Sequence, residues 1–378
     1  MLKSGRTSVC RAIKVMIALL MILSPVFAAT SSHAEKRTIK AFWIAELPAD
    51  HDAVEKLFLS YRDAGADTVV VGPLSTAGPL TIKVLPHIVF LAHKTRLKIY
   101  VTVSTRRDVE LLRSHPQWED RRYDLESRSL KTEAALDLFR PEVVAHLVNT
   151  VQNIARYSVD GILMDEDFTY EETDGMSREV FAAYQKKYAK EPVPKKLFVK
   201  VERMGTSYRV AEYGEGFENL IRMKLDRLGE VFKALKDASR SENRDVQFGV
   251  PLRFSGYENI LGTLPHYTRL VRAFKRAEPD FYWIVIPHRD KEGLSYKQGM
   301  ESVARAAKII ATAVEEKDKA VVVLSMMNKD GRLLAYTELE EATDMVRTSG
   351  ISSVVYRVKK ELGLPVPITR KLFNTQNE

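Results

Sequence analysis

Tyr157-Ser158-Val159-Asp160-Gly161-Ile162-Leu163-Met164-Asp165-Glu166-Asp167 is an apolar strand-length run that stops abruptly in three acids. A short, continuously apolar run suits a strand covered on both faces, as in a parallel sheet. Seven further runs of the same kind lie at 39–45, 68–71, 98–103, 246–250, 281–286, 320–324 and 351–356, most of them rich in β-branched or aromatic residues.

Segments of helical period separate these runs. Residues 53–64 place Val54, Leu57, Phe58 and Tyr61 on one face, and 142–157 do the same with Val143, Leu147, Val151 and Ile154. Pro141 suits the first turn of the second of these helices. Residues 217–239 carry Leu220, Ile221, Leu225 and Leu228 at spacings of three and four, and 302–315 and 338–348 fall between the last strands. Eight strands alternating with helices predict an α/β fold, a closed (β/α)8 TIM barrel, with residues 190–216 as an insertion after the fourth strand.

The start of the chain predicts export. Lys3, Arg6, Arg11 and Lys14 precede an apolar stretch at 15–28, and Ser32-His33-Ala34 fits a cleavage site before Glu35. Residues 1–34 are thus expected to be a signal peptide and 35–378 a single barrel domain, periplasmic or secreted, with no membrane insertion after cleavage. The single cysteine, Cys10, lies inside the expected signal, so disulfides, thiolate metal sites and cysteine nucleophiles are excluded from the remainder. Removing four basic residues and no acidic ones lowers the formal charge from +8 to +4, which gives no case for nucleic acid. No glycine-rich phosphate loop follows a strand; Gly72-Pro73-Leu74 lacks the dinucleotide pattern. No cofactor and no metal are expected.

In such a barrel, chemistry collects at the carboxyl ends of the strands. Asp165, Glu166 and Asp167 are therefore the candidate catalytic residues. Three adjacent carboxylates repel one another, so at least one should hold its proton at a higher pH than usual. Hydrolysis of a glycosidic bond uses such a protonated carboxyl beside an ionised one. If strand alternation continued, Asp165 and Asp167 would share one side and Glu166 would face the other. Glu171, Glu172 and Asp174 follow closely, an acidic field that would draw a cationic sugar. Trp43, Glu46, Tyr170, Arg253, Tyr257, His288, Arg289 and Tyr356 sit in or just after strands and are the candidate substrate-binding residues around the barrel mouth.

His115-Pro116-Gln117-Trp118, the helix start Asp137-Leu138-Phe139-Arg140-Pro141-Glu142-Val143 and the 157–167 block together resemble glycoside-hydrolase-like barrels. The order of elements is similar to the C-terminal domain of the bacterial poly-β-1,6-N-acetylglucosamine deacetylase family, the PgaB type. That family usually shows His-Asp-Asp where this chain has Asp165-Glu166-Asp167, and no deacetylase activity is expected, because the sequence shows no His/Asp metal motif of the kind that family's N-terminal deacetylase domain would supply. Chitinase-type barrels are similar at Asp160-Gly161 and Asp165, but Leu163 and Asp167 stand where they have an aspartate and the glutamate acid. The resemblance implies a β-linked aminosugar polysaccharide as substrate and exopolysaccharide export proteins as partners. Asp167 or Glu166 would be the general acid, with Asp165 tuning it or orienting the sugar. The alternative is a non-catalytic barrel that guides such a polymer without cutting it.

Overall fold

In chain order the computed structural model, which describes residues 38–74, 81–252, 264–286, 288, 294–358 and 372–373, begins with β1 (Lys40–Ile44), α1 (His51–Asp63), β2 (Thr68–Leu74), α2 (Leu85–Lys94) and β3 (Lys98–Val103). Then come α3 (Val109–Ser114), a hairpin of β4 (Glu119–Asp124) and β5 (Ser129–Leu136), α4 (Pro141–Ala155), β6 (Gly161–Met164), α5 (Arg178–Tyr188) and the short α6 (Pro194–Leu197). A second hairpin, β7 (Phe198–Met204) and β8 (Ser207–Tyr213), leads to α7 (Phe217–Glu242), β9 (Gln247–Pro251), α8 (Leu264–Lys275), β10 (Phe281–Val285), α9 (Tyr296–Ala313), β11 (Ala320–Ser325), α10 (Tyr336–Thr348) and β12 (Ser353–Val358).

Eight of the strands pair in parallel in the order β1, β2, β3, β6, β9, β10, β11, β12, and β12 returns to β1 to close the barrel. Every one of the eight runs expected from sequence falls on a barrel strand to within three residues. The insertion expected at 190–216 is α6 with the β7–β8 hairpin. The hairpin β4–β5 was not legible, because its strands mix charged and small residues with no period. It is held instead by Tyr123, whose ring stacks on Phe198 at 5.1 Å.

The core has two shells, set by the alternation of each strand. Trp43, Leu163, Trp283 and Val355 face the barrel lumen, whereas Phe42, Ile162, Ile284 and Tyr356 face the helices. The helix faces expected from sequence are the buried ones in α1, α4 and α7. Two lumen glycines make room for rings. A Cβ on Gly161 would lie 2.8 Å from the Tyr100 ring and one on Gly249 2.4 Å from Phe281, and those two rings stack at 5.7 Å. Local chemistry starts the helices where the sequence suggests. Asp50, Asp108 and Ser177 cap α1, α3 and α5, Pro141 opens α4, and Ser295 with Gln298 forms a capping box on α9.

Among the described residues no helix is long and apolar enough to cross a membrane. The expected signal peptide, together with Arg253, Tyr257 and Arg289, lies outside the described residues.

Candidate active site

The chain leaves β6 immediately after Asp165. The Asp165 amide still donates to the Val103 carbonyl of β3 at 3.0 Å, but Phe168 N donates back to Asp165 O at 2.9 Å and Thr169 N to Asp167 O at 2.8 Å. A turn therefore replaces the strand alternation expected for the acidic run, and the three carboxylates part company.

Asp167 reaches back to the loop that follows β3. Its carboxylate accepts from the amides of Thr105, Arg106 and Arg107 and from the Ser104 and Thr105 hydroxyls, at 2.7–3.1 Å. A carboxylate has about four lone-pair positions, so these donors leave none for a proton aimed at substrate. Asp167 clamps the 104–107 loop, an engagement that the acid role expected for it did not include. This partner loop lies some sixty residues earlier in the chain, and only the hydroxyl pair Ser104-Thr105 after β3 hints at it in the sequence.

Glu166 points the other way and pairs with Arg357 Nη1 at 3.1 Å. Arg357 comes from β12, four strands round the ring from β6, and its guanidinium lies 4.1 Å over the Trp43 ring. Trp43 donates its indole N–H to Gly72 O at 3.2 Å and is 1% exposed, so its face is covered by Arg357.

Asp165 stays at the end of β6 in the lumen-facing phase of Gly161 and Leu163. Burial first, then the charge of Asp167 and to a lesser degree that of Glu166, push its carboxyl up to about 7, against the opposing pulls of the Glu166 amide and Arg357. Of the three acids, it is the one set up to carry a proton near neutral pH.

These groups line a cavity of about 290 Å³ together with Pro73, Arg106, Arg107, Thr169, Glu171 and Asp174. The acidic field expected over this mouth is offset by Arg106, Arg107 and Arg357 in the same wall. Arg106 is buried. It donates to Asp120 Oδ2 at 2.7 Å and to Asp174 Oδ2 at 3.5 Å, and its guanidinium lies 4.2 Å over the Tyr170 ring. Glu172 turns away to accept from the Tyr213 hydroxyl at 2.5 Å. Among the described residues no three His, Cys, Asp or Glu side chains are grouped to hold a metal ion.

Several residues expected at the mouth lie elsewhere. Tyr170 is 5% exposed and packed under Arg106, so it offers no sugar platform. Tyr356 points outward, where its hydroxyl meets Thr343 Oγ1 at 2.8 Å beneath α10. His288 is fully buried, with Nε2 3.5 Å from Glu338 of α10. Glu46, by contrast, is exposed on the loop at the carboxyl end of β1. Asp160 lies at the opposite end of β6 from the cavity, where it accepts from the Ile99 amide and meets His93, both at 2.9 Å.

Residues 77–235 match the family model described as Glycosyl hydrolase-like 10. No curated protein sequence matches the chain. Among solved structures, the PgaB (BpsB) glycoside hydrolase domain of Bordetella bronchiseptica superposes with a TM-score of 0.67 at 12% identity, covering 89% of this chain and 99% of that one. A β-galactosidase from Rahnella sp. R3 gives 0.57 at 12% identity over 85% of this chain, which spans 50% of the enzyme's length. The endo-β-1,4-mannanase of Thermotoga petrophila gives 0.52 at 12% identity, covering 90% and 77% of the two chains. The matched stretch holds β3, β6 and the whole acidic run and resembles the glycosyl hydrolase-like family, and the chain as a whole is a (β/α)8 barrel similar in fold to the PgaB hydrolase domain.

Proposed function

We propose that this protein hydrolyses a β-linked aminosugar polysaccharide of the poly-N-acetylglucosamine type, with Asp165 as the general acid. The observation that carries this reading is Asp165 itself, a carboxyl on the cavity wall at a strand end, pushed up to about 7 by burial and by its two acidic neighbours. Glycosidic cleavage needs one carboxyl that keeps its proton while another is ionised. Asp165 fits the first part, and Glu166, whose partner is a guanidinium, fits the second. The Asp165 proton passes to the glycosidic oxygen as the bond from the anomeric carbon breaks. Water adds to that carbon and gives up its proton to an ionised carboxylate. No cofactor enters this chemistry. The basic and apolar start of the chain supports delivery to the periplasm or the exterior, where exopolysaccharide export proteins would be partners.

The test is mass spectrometry of products after incubation with partly deacetylated poly-β-1,6-glucosamine, with chitin oligomers alongside. Shorter oligomers that disappear with Asp165→Asn support the proposal. One observation favours a second reading, a polymer-guiding barrel without turnover. Asp167 and Glu166 are both already engaged by protein donors. Intact polymer retained by the protein in a pull-down would move the assignment there.

A further inference from the structure

We propose that the groove between α7 and α8, on the outer helical layer, is a binding site for a phosphate group. Its walls are built by helical spacing. Glu218, Arg222 and Asp226 recur every four residues along α7, and Arg269, Arg272 and Arg276 recur at three and four along α8 and just past its end, so each set shares one face. The two helices approach closely at one point. A Cβ on Gly229 would lie 2.8 Å from the Ala273 carbonyl, so only glycine lets the backbones meet there. Beside that contact lies a cavity of about 270 Å³, floored by Leu225 and Ala273.

The charge in this groove is unbalanced. Both of its acids are already neutralised, Glu218 by Arg269 at 2.5 Å and Asp226 by Lys187 of α5 at 2.9 Å. Arg222, Arg272 and Arg276 all line the cavity, and no ion pair within 4 Å joins them to a described residue; the carboxylate whose charge reaches Arg272, Glu315, is already paired with Lys275 at 2.7 Å. An anion bound in the cavity would offset this excess of positive charge. A planar guanidinium matches a phosphate's oxygens two at a time, and a phosphate offers more oxygens and more charge than a carboxylate for engaging several guanidinium groups at once. The phosphate could belong to a soluble ligand or to a lipid headgroup. The site is independent of the barrel-mouth chemistry.

The test uses the full protein and two probes, inorganic pyrophosphate by calorimetry and phosphatidylglycerol vesicles by co-sedimentation, with phosphatidylcholine vesicles as the uncharged reference. Binding in either arm should weaken at least about tenfold in the triple variant R222Q/R272Q/R276Q, the equivalent of losing one charge-assisted contact. The arm that binds identifies the source of the phosphate. A second triple, R113Q/R203Q/R244Q, removes the same charge from exposed arginines elsewhere and should bind like the unaltered protein. Absence of binding in both arms, binding that survives the groove substitutions, or an equal loss in the second triple would overturn the proposal.

Discussion

Glu166 and Arg357 meet at 3.1 Å across the barrel mouth, one from the end of β6 and the other from β12, halfway round the eight-strand ring. The pair closes over Trp43, so one ion pair both engages a candidate catalytic carboxylate and hides an aromatic face. Its exposure, 28% and 30% for the two side chains, puts its worth to folding at about 1 kcal/mol or less. Its consequence is for access to the lumen.

Arg357→Ala should therefore leave the barrel folded and uncover Trp43. The expected cost is about 1–2 kcal/mol, most of it from the lost stacking of the guanidinium on the indole. Acrylamide quenching of tryptophan fluorescence reads the change directly, because the chain holds only three tryptophans. Quenching should rise in the variant. Unchanged quenching would show that Arg357 does not cover the ring in solution.

Asp167→Asn should be the structurally damaging substitution in the acidic run. An amide presents one acceptor where five groups now donate, and its own N–H groups would face the amides of the 104–107 loop. A loss of about 3 kcal/mol is expected, since hydrogen bonds to a charged acceptor are strong and the abandoned donors are partly buried. Urea denaturation measures it. A variant as stable as the parent would mean that the carboxylate does not hold this loop.

Asp165→Asn should do the reverse, ending turnover while the fold persists. The carboxyl is raised from 3.8 to about 7, so between those values the folded protein binds a proton that the unfolded chain has released. Its favourable contribution is complete below about 4 and is lost as pH rises through about 7. Above 7 the parent carries the strain of like charges, and the Asn variant should be more stable on the order of 1 kcal/mol, discounted for the solvent in the cavity. The parent's cleavage rate should fall about tenfold per pH unit above 7, as expected for a required acid. A rate that is flat to pH 9 would remove Asp165 from that role.

The barrel was legible because its signal is local. Each buried strand is a continuous apolar run, and each helix shows its core face at spacings of three and four. The position of the acids was legible for the same reason, since Asp165 directly follows Gly161–Met164. Their division of labour was not, because it is set by partners far off in the chain. Ser104 to Arg107 claim Asp167, and Arg357 claims Glu166. Tyr356 failed by a single step of phase. With Val355 facing the lumen, Tyr356 must face the helices and Arg357 the mouth. Tyr170 failed because nothing near it in sequence announces Arg106, which covers its ring.

The loop after the acids rests on a buried cation, and its removal should be felt at the site. Lys224 of α7 is 1% exposed, and its ammonium donates to the carbonyls of Asp174 and Glu172 and lies 5.7 Å from the centre of the Tyr170 ring. Burial pushes it down to about 8, while Asp174 and Asp120 pull the other way, so it still carries charge at neutral pH. Gly175 fits against it with φ +66° and no room for a Cβ, which would lie 2.9 Å from Lys224 Cε. Lys224→Met fills the same volume but leaves two carbonyls unpaired and removes a counter-charge from Asp174. A loss of about 3 kcal/mol follows from groups of this kind left buried without partners. Because Glu171 and Asp174 also line the cavity, limited proteolysis should open the 170–176 loop in the variant before the barrel unfolds. Cleavage elsewhere first, with that loop still protected, would show that its order does not depend on Lys224.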